Sequence, residues 1–307
     1  MAADKRGSTS TTVTIDGHRL SLSNLDKVLY PEAGFTKGEV IDYYTRIAPA
    51  LVAHIGDRGI SMKRFPDGVD GGFFWEKRCP SHRPEWVGTA VGPGDRSGDV
   101  QYCVLADRAS LVWAANLAAL EIHAPMARAR DIETPTMVVF DLDPGPGTDI
   151  GDCAEIALWI REVLAGVGLE AWAKTSGSKG MQLYVPVNRP GLSHHHASSF
   201  AHAVAQAMEK HHGDRVTSVM RKDLRHGKVF IDWSQNSRHK TTVAPYSLRA
   251  RPRPTVSTPV TWEEVEEAAD GAPLSFEAGD VLGRLDEHGD VFADVARLEQ
   301  DFPALKP

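Results

Sequence analysis

The stretch T-M-V-V-F-D-L-D-P, residues 136–144, combines a short apolar run with two aspartates and a break in the chain direction. β-branched and aromatic residues favour a strand, and Pro144 followed by glycine ends it. Side chains at positions i and i+2 of a strand lie on the same face, so Asp141 and Asp143 project together while Leu142 faces the core. The pattern predicts a buried strand that ends in a carboxylate pair.

Two carboxylates this close repel each other, and a cation between them relieves the repulsion. Hard oxygen ligands suit Mg²⁺ or Mn²⁺, so the pair is a candidate metal site. The alternative is that Asp141 and Asp143 only end a strand and open a turn, since aspartate and proline are common turn residues. The stretch by itself leaves both interpretations open.

The chain has 307 residues, enough for two ordinary domains or one large α/β unit. Its 42% hydrophobic and 24% charged residues are typical of a globular protein, and no uncharged apolar run is long enough to span a bilayer. The polar segment 1–12 lacks the apolar part of a secretory signal, so we expect a disordered N-terminus and a cytoplasmic protein. The three widely spaced cysteines argue against a disulfide framework.

Charge is distributed unevenly along the chain. Residues 261–301 contain thirteen acidic residues and two arginines, so the rest of the chain carries about +4 of the total net charge of −7. Between Arg221 and Arg251, eight Lys and Arg residues accompany only two aspartates, Asp223 and Asp232. This segment predicts either a basic surface that follows phosphates or an ordinary solvated face.

Local patterns predict several elements. The alternation of apolar and polar residues over 13–22 predicts one opening strand. The capping-box spacing of Thr36 and Glu39 predicts a helix over residues 37–53. Two strands at about 60–65 and 73–78, joined by a turn at 66–68, would bring Lys63 and Arg64 close to Phe74 and Trp75. Such a basic and aromatic cluster can stack bases and hold phosphates, or can simply be core. The three consecutive histidines 194–196 begin a predicted helix and point in different directions, which makes a metal site there unfavourable.

Further polar groups follow other strands. Residues 228–231 predict a strand that ends at Asp232, a candidate third ligand beside Asp141 and Asp143. The turn S-G-S-K-G at 176–180 offers backbone N–H groups, hydroxyls and Lys179 as a phosphate cradle, although it is also a common hairpin turn and lacks Walker A spacing. Arg249 is a further anion ligand. His123 is either an exposed imidazole that binds an anion or a structural histidine.

Taken together, these motifs resemble a known family. F-D-L-D-P at 140–144, S-G-S-K-G at 176–180, V-F-I-D-W-S-Q-N at 229–236 and A-P-Y-S-L-R at 244–249 are similar in order and spacing to the polymerase domain of bacterial ATP-dependent DNA ligase D, a member of the archaeo-eukaryotic primase superfamily. N-L-D-K-V-L-Y-P at 24–31, M-K-R-F-P-D-G-V-D at 62–70 and L-E-I-H-A-P at 120–125 extend the resemblance, which runs from about Leu20 to Arg251. Residues 92–98 carry no match.

The resemblance implies an α+β (mixed α/β) primase-polymerase fold with mostly antiparallel or mixed central sheets flanked by helices. It implies a catalytic domain at 13–252 and an acidic helical extension at 253–307 packed on the same domain. It also implies a stand-alone polymerase, since no ligase or nuclease module fits in 307 residues.

The resemblance also implies roles for individual residues. Asp141, Asp143 and Asp232 would be the catalytic ligands of two Mg²⁺ or Mn²⁺ ions, and Arg225 would lie near the metals and the primer terminus. Phe74 and Trp75 would lie near the template base, although the family often has Phe at position 75. The residues implied to contact the incoming nucleotide are His123, Ser176 and Lys179, with Lys63, Gln235 and Arg249 nearby. The residues implied to bind a downstream 5′-phosphate are Asn24, Lys27 and Lys37.

The function implied is template-directed addition of deoxyribonucleotides or ribonucleotides that fills short DNA gaps or extends DNA ends. The implied partners are DNA with gaps or ends that bear a 5′-phosphate, a separate DNA ligase and end-binding proteins acting in trans. Two alternatives use the same residue types: a two-metal nuclease or phosphohydrolase, and a non-catalytic module that binds DNA ends.

Overall fold

The computed structural model describes residues 10–94 and 98–303. Within these ranges the chain forms six α-helices: α1 (Lys37–Ile55), α2 (Arg108–Asn116), α3 (Ile150–Ala165), α4 (His194–His211), α5 (Trp262–Ala269) and α6 (Ala278–His288). Short 3₁₀ turns occur at Lys222–Leu224, Trp233–Asn236 and Ala293–Ala296. No helix in these ranges is long and apolar enough to cross a membrane.

Eighteen strands complete the described part of the chain. They are β1 (Ser10–Ile15), β2 (His18–Ser23), β3 (Val28–Tyr30), β4 (Phe35–Thr36), β5 (Ser61–Arg64), β6 (Phe74–Glu76), β7 (Gly88–Pro93), β8 (Asp99–Val104), β9 (Ala119–Ala124), β10 (Ala127–Arg128), β11 (Asp131–Pro135), β12 (Met137–Pro144), β13 (Trp172–Thr175), β14 (Met181–Pro186), β15 (Val216–Thr217), β16 (Val229–Asp232), β17 (Thr242–Val243) and β18 (Pro259–Val260).

The strand β12 lies inside a six-stranded sheet of order β15-β16-β12-β14-β13-β18. All neighbours in this sheet are antiparallel except β15 and β16. Because side chains alternate along a strand, Val138, Phe140 and Leu142 enter the core formed with α3 and α4, while Val139 enters a smaller core on the opposite face. Asp141 and Asp143 follow Val139 on that opposite face.

A second sheet has the order β17-β9-β5-β6, and helices α1 and α2 pack in its hydrophobic core. The capping box predicted for α1 is present, because the Thr36 hydroxyl accepts from the Glu39 N–H and the Glu39 carboxylate accepts from the Thr36 N–H. Mixed and antiparallel sheets flanked by helices confirm the predicted fold class.

The acidic C-terminal segment contacts both cores. Helix α5 contributes Val265 to the core of the six-stranded sheet, and α6 contributes Val281 to the core of the second sheet. Several of its carboxylates pair with arginines: Arg161 with Glu266, Arg253 with Glu277 and Arg284 with Glu264. Much of the local acidic charge is therefore compensated within the chain.

The structure differs from the sequence predictions at the N-terminal end. Residues 13–22 were predicted as one strand but form the hairpin β1–β2, with a turn at Asp16 and Gly17, whose φ angles are 49° and 82°. Asp-Gly in this conformation is a favoured two-residue hairpin turn. The hairpin begins at Ser10, so the last residues of the segment predicted as disordered lie in a strand, and residues 1–9 lie outside the described ranges.

The expectation that the cysteines form no disulfide is wrong for one pair. Cys79 and Cys103 form a disulfide, and Cys153 is free and buried. The Cys79 N–H donates to the carbonyl of Gln101 at 2.7 Å, which places the segment after β6 alongside β8. This contact joins positions distant in sequence, so cysteine spacing alone did not reveal the pair.

Candidate active site

Three aspartates converge at the end of β12. Asp141 and Asp232 are directly opposed on the antiparallel strands β12 and β16, and Asp143 lies two residues farther along the same face. One carboxylate oxygen of each residue lies within 4.8 Å of the others. Within the described residues this is the cluster of side chains suited to hold a metal ion, and its all-oxygen donor set fits a hard divalent cation.

The electrostatics of the triad reflect crowded negative charge. Burial, and then the charge of Asp143, raises the pKa of Asp141 to about 7. Burial and the charge of Asp232 also raise the pKa of Asp143. Like charges at this distance disfavour joint ionisation, and a bound cation would reverse that preference.

Two glutamines support the triad. The Gln182 amide donates to Asp141 Oδ1 at 2.9 Å, and the Gln235 amide lies 3.2 Å from both Asp141 Oδ2 and Asp232 Oδ2. Gln182 is the β14 residue paired with Asp141, a relationship that becomes visible only when the strand order is known. Sequence reasoning identified Gln235 and missed Gln182.

The turn after β16 is fixed by Asn236, which sequence reasoning also missed. Its side-chain amide accepts from the Val139 N–H and donates to the Val139 carbonyl, both at 2.8 Å. Asn236 is fully buried. Its two hydrogen bonds to Val139 extend the backbone pairing between β16 and β12 by one side chain. The available sequence signal was its place at the end of the motif at 229–236.

The S-G-S-K-G turn joins β13 to β14 beside the triad. A Cβ atom on Gly180 would lie 2.1 Å from the Leu142 carbonyl oxygen, so only glycine permits this close approach to β12. The Ser176 hydroxyl accepts from the N–H groups of Ser178 and Gly180 at 3.2 and 3.1 Å. These two N–H groups are therefore already hydrogen-bonded, whereas the predicted phosphate cradle required free N–H groups.

Arg249 and His123 lie on the opposite wall. Arg249 donates to the Ser176 carbonyl and its Nε lies 3.5 Å from Glu121. His123 was predicted to be exposed but is buried, with Nε2 2.9 Å from the Glu121 carboxylate. Burial lowers the pKa of His123, and Glu121 opposes that shift. The Glu121 carboxylate is another group that sequence reasoning missed, although the motif at 120–125 contains it.

These walls enclose an open cleft of about 400 Å³ between the two sheets. Arg225 also faces the cleft, and its guanidinium stacks on Phe230 at 3.6 Å from the ring centroid. The predicted site residues that line the cleft are His123, Asp141, Asp143, Ser176, Lys179, Arg225, Gln235 and Arg249. Asp232 belongs to the triad at its edge. Lys63 is not among the lining residues of the cleft, and its Nζ lies 3.8 Å from the Glu121 carboxylate.

A wider groove of about 710 Å³ adjoins the cleft and shares Gln235 and Thr241 with it. Apart from Val100, its other lining residues are basic or aromatic: Trp75, Lys77, Arg78, His239 and Lys240. Phe74 and Trp75 are 44% and 45% exposed, so their rings are available for stacking. The predicted proximity of Lys63 and Arg64 to these rings is present, since Lys63 pairs with Trp75 and Arg64 with Phe74 across β5 and β6.

Asn24, Lys27 and Lys37 lie together but outside the lining of the cleft. The Lys37 N–H donates to the Lys27 carbonyl, and the Lys27 N–H to the Asn24 carbonyl. Lys37 Nζ is held by the Ser23 carbonyl at 2.7 Å, and Lys27 Nζ pairs with Asp67 at 2.8 Å. Burial, and then the charges of Lys27 and Arg64, lowers the pKa of Lys37 to about 8. The set is therefore a small, separate cationic cluster in which Lys37 is buried, with only 6% of the residue exposed.

Comparison with known proteins gives a consistent result. Residues 36–292 match the family of the LigD primase-polymerase domain. The multifunctional non-homologous end joining protein LigD of Mycolicibacterium smegmatis is 45% identical over 289 residues, which cover 93% of this chain and 37% of that protein. The bifunctional LigD protein of Bacillus subtilis is 28% identical over 285 residues, 93% of this chain and 45% of that protein. The chain thus spans less than half the length of these relatives.

A solved structure is also similar over nearly its whole length. The polymerase domain of Mycobacterium tuberculosis ligase D, in complex with DNA, superposes with a TM-score of 0.85 at 41% sequence identity. The match covers 91% of this chain and 98% of that domain.

Proposed function

Because this chain belongs to the LigD primase-polymerase domain family and is a nucleotidyltransferase of that class, we propose that it extends DNA strands across short gaps and at ends. The observation that carries the proposal is the aspartate triad at the edge of a cleft whose opposite wall is cationic. A triphosphate needs both features, because negative charge must be held while one phosphorus atom is attacked.

The carboxylates would hold two Mg²⁺ or Mn²⁺ ions, which when bound activate a primer 3′-hydroxyl and neutralise charge on the triphosphate. The 3′-hydroxyl would lose its proton to water as its oxygen forms a bond to the α-phosphorus, and the bond from that phosphorus to pyrophosphate would break. Gln182 and Gln235 orient Asp141 and Asp232 by donating hydrogen bonds to their carboxylates. We propose that His123, Ser176, Lys179 and Arg249 receive the phosphates and sugar, with Lys63 supporting them.

The adjoining groove is proposed to hold the template strand. Aromatic rings stack on bases of any sequence, and lysine and arginine side chains bind phosphates, so Trp75, Lys77 and Arg78, which line the groove, suit a single-stranded template. Phe74 precedes Trp75 on β6, and its exposed ring is proposed to stack on the same nucleic-acid strand. Arg225 lines the cleft together with Asp141 and Asp143 and is proposed to contact the primer terminus. The similar mycobacterial domain was solved with DNA, which supports a nucleic-acid partner.

Asn24, Lys27 and Lys37 are proposed to bind the 5′-phosphate on the downstream side of a gap. Two lysines beside the N-terminus of α1 form a favourable anion site, because the helix dipole adds to their charge. The relatives are named as end-joining proteins, so we propose a role in non-homologous end joining, with a DNA ligase and end-binding proteins as partners. We further propose that the enzyme accepts ribonucleotides as well as deoxyribonucleotides.

The decisive experiment is extension of a labelled primer across a one- or two-nucleotide gap. The reactions contain Mn²⁺ or Mg²⁺, either class of nucleotide, and a downstream strand with or without a 5′-phosphate. We expect template-directed addition that a 5′-phosphate stimulates. Degradation of the DNA without any addition would favour the nuclease alternative, and binding without either reaction would favour the non-catalytic module.

A further inference from the structure

Glu121 lies at the centre of three basic side chains that come from three different parts of the chain. His123 is two residues along β9 and therefore on the same face, and Lys63 is the directly opposed residue on β5. Arg249 reaches the same carboxylate from the segment after β17. The distances from Glu121 are 2.9 Å to His123 Nε2, 3.8 Å to Lys63 Nζ and 3.5 Å to Arg249 Nε.

The carboxylate is almost fully buried and fully engaged. Only 2% of Glu121 is exposed, and Oε1 also accepts from the Ala250 N–H at 3.1 Å. Burial opposes its ionisation, but the hydrogen bond from His123 and the charge of Arg249 lower the pKa of Glu121 to about 2. Glu121 is thus an anion around neutral pH. It does not line the cleft itself, but it contacts His123 and Arg249, which do.

We propose that Glu121 is a positioning residue, which holds His123, Arg249 and Lys63 in the arrangement that receives the triphosphate. The inference rests on the proposed function of the cleft. Without a central anion, the cations Lys63 and Arg249 repel each other and His123 loses its hydrogen-bond partner. The flexible lysine and arginine side chains then occupy several rotamers before a ligand binds. These side chains would then lose conformational entropy when the nucleotide binds, which weakens the binding.

A positioning role and a simple charge effect predict opposite changes in nucleotide affinity when Glu121 is neutralised. If Glu121 acted only through its charge, its neutralisation would leave the cleft more positive and would tighten the binding of an anionic nucleotide. If Glu121 were only structural, its loss would lower stability without changing nucleotide affinity. A positioning role alone predicts weaker nucleotide binding when the carboxylate becomes an amide of the same shape.

The test compares Glu121→Gln and Glu121→Asp with the wild type. Equilibrium binding of ATP with MnCl₂ is measured by calorimetry, and KM and kcat are measured by primer extension. We expect each variant to raise the dissociation constant and KM about tenfold or more, with a smaller change in kcat. Glu121→Asp keeps the charge and lengthens the contacts to the three basic side chains. It therefore tests the positioning role if Glu121→Gln does not fold.

Asp290 supplies a matched control. It is a partly buried carboxylate that accepts from His54 at 2.9 Å and from Tyr246 at 2.6 Å, away from the cleft. Asp290→Asn should lower the melting temperature and leave ATP affinity unchanged. An unchanged or tighter ATP affinity in folded Glu121 variants would overturn the positioning role. If the wild type binds ATP but adds no nucleotide, the proposed function fails, while the affinity comparison still decides the role of Glu121.

Discussion

Asp141 and Asp232 face each other directly across the antiparallel strands β12 and β16, and the amide of Gln235 bridges their carboxylates. Asp143 completes the group from the same face of β12. The arrangement places three carboxylates on two rigid strands rather than on loops, which would favour precise coordination of a metal ion.

Removal of Asp232 tests this arrangement. We expect Asp232→Ala to reduce kcat for nucleotide addition by on the order of 10³-fold, because charge stabilisation by a bound ion is worth several kcal/mol. Primer extension measures the loss, and a gel-shift assay should show DNA binding close to that of the wild type. Asp223→Ala, an exposed aspartate paired with Arg221, is the control. Retained activity in Asp232→Ala would mean that another group is the third ligand.

Substitution of Asn236 tests the support of the triad. Asn236→Ala leaves the buried N–H and carbonyl of Val139 without partners, so we expect a loss of about 1–3 kcal/mol in stability together with a lower kcat. Denaturant unfolding and primer extension measure the two effects. Gln300 pairs in the same way with the N–H and carbonyl of Glu170, outside the cleft. Gln300→Ala should therefore lower stability alone, and an equal loss of kcat there would contradict the assignment.

The lowered pKa of Lys37 predicts a pH dependence for the 5′-phosphate. A lysine whose pKa is about 8 is charged below that pH and loses its proton as the pH rises through it. We expect the preference for a 5′-phosphorylated gap to be strong at pH 7 and clearly weaker at pH 9. Lys37→Arg keeps its charge throughout, so its preference should change less. The same wild-type preference at both pH values would argue against Lys37 as a phosphate ligand.

The disulfide predicts a redox-dependent stability. Cys79 and Cys103 are 24 residues apart, and a closed loop of that size stabilises a fold by about 3 kcal/mol through restriction of the unfolded chain. A reducing agent should therefore lower the melting temperature of the oxidised wild type. The double variant Cys79→Ser, Cys103→Ser should melt at the lower temperature and be insensitive to the reductant. Equal sensitivity in that variant would show that the effect has another origin.

Local features of the fold were predictable from the sequence. The helix α1 with its Thr36 capping box and the α5 capping box at Thr261 depend on residues within one turn, so their signals are visible in short windows. The end of β12 at Asp141 and Asp143 followed from the two-residue period of a strand. The hairpin β1–β2 was missed because its Asp16-Gly17 turn interrupts a pattern that otherwise alternates.

Relationships between distant residues required the tertiary structure. The Cys79–Cys103 pair and the packing of Asn236 on Val139 join elements whose neighbours depend on sheet order. His123 was expected to be exposed, but β9 lies inside its sheet and the side chain is buried against Glu121. Such burial depends on which elements pack against the strand, and a short stretch of sequence does not contain that information.

The sequence by itself determined the identities and order of the acidic, basic and aromatic groups, because these are carried by short motifs and by local strand and turn preferences. The tertiary structure alone decided that Asp232 lies opposite Asp141 and that Glu121 lies among Lys63, His123 and Arg249. The physical reason is that cross-strand pairing and burial set both the distances between charges and the cost of leaving them unpaired, and neither depends on separation along the chain.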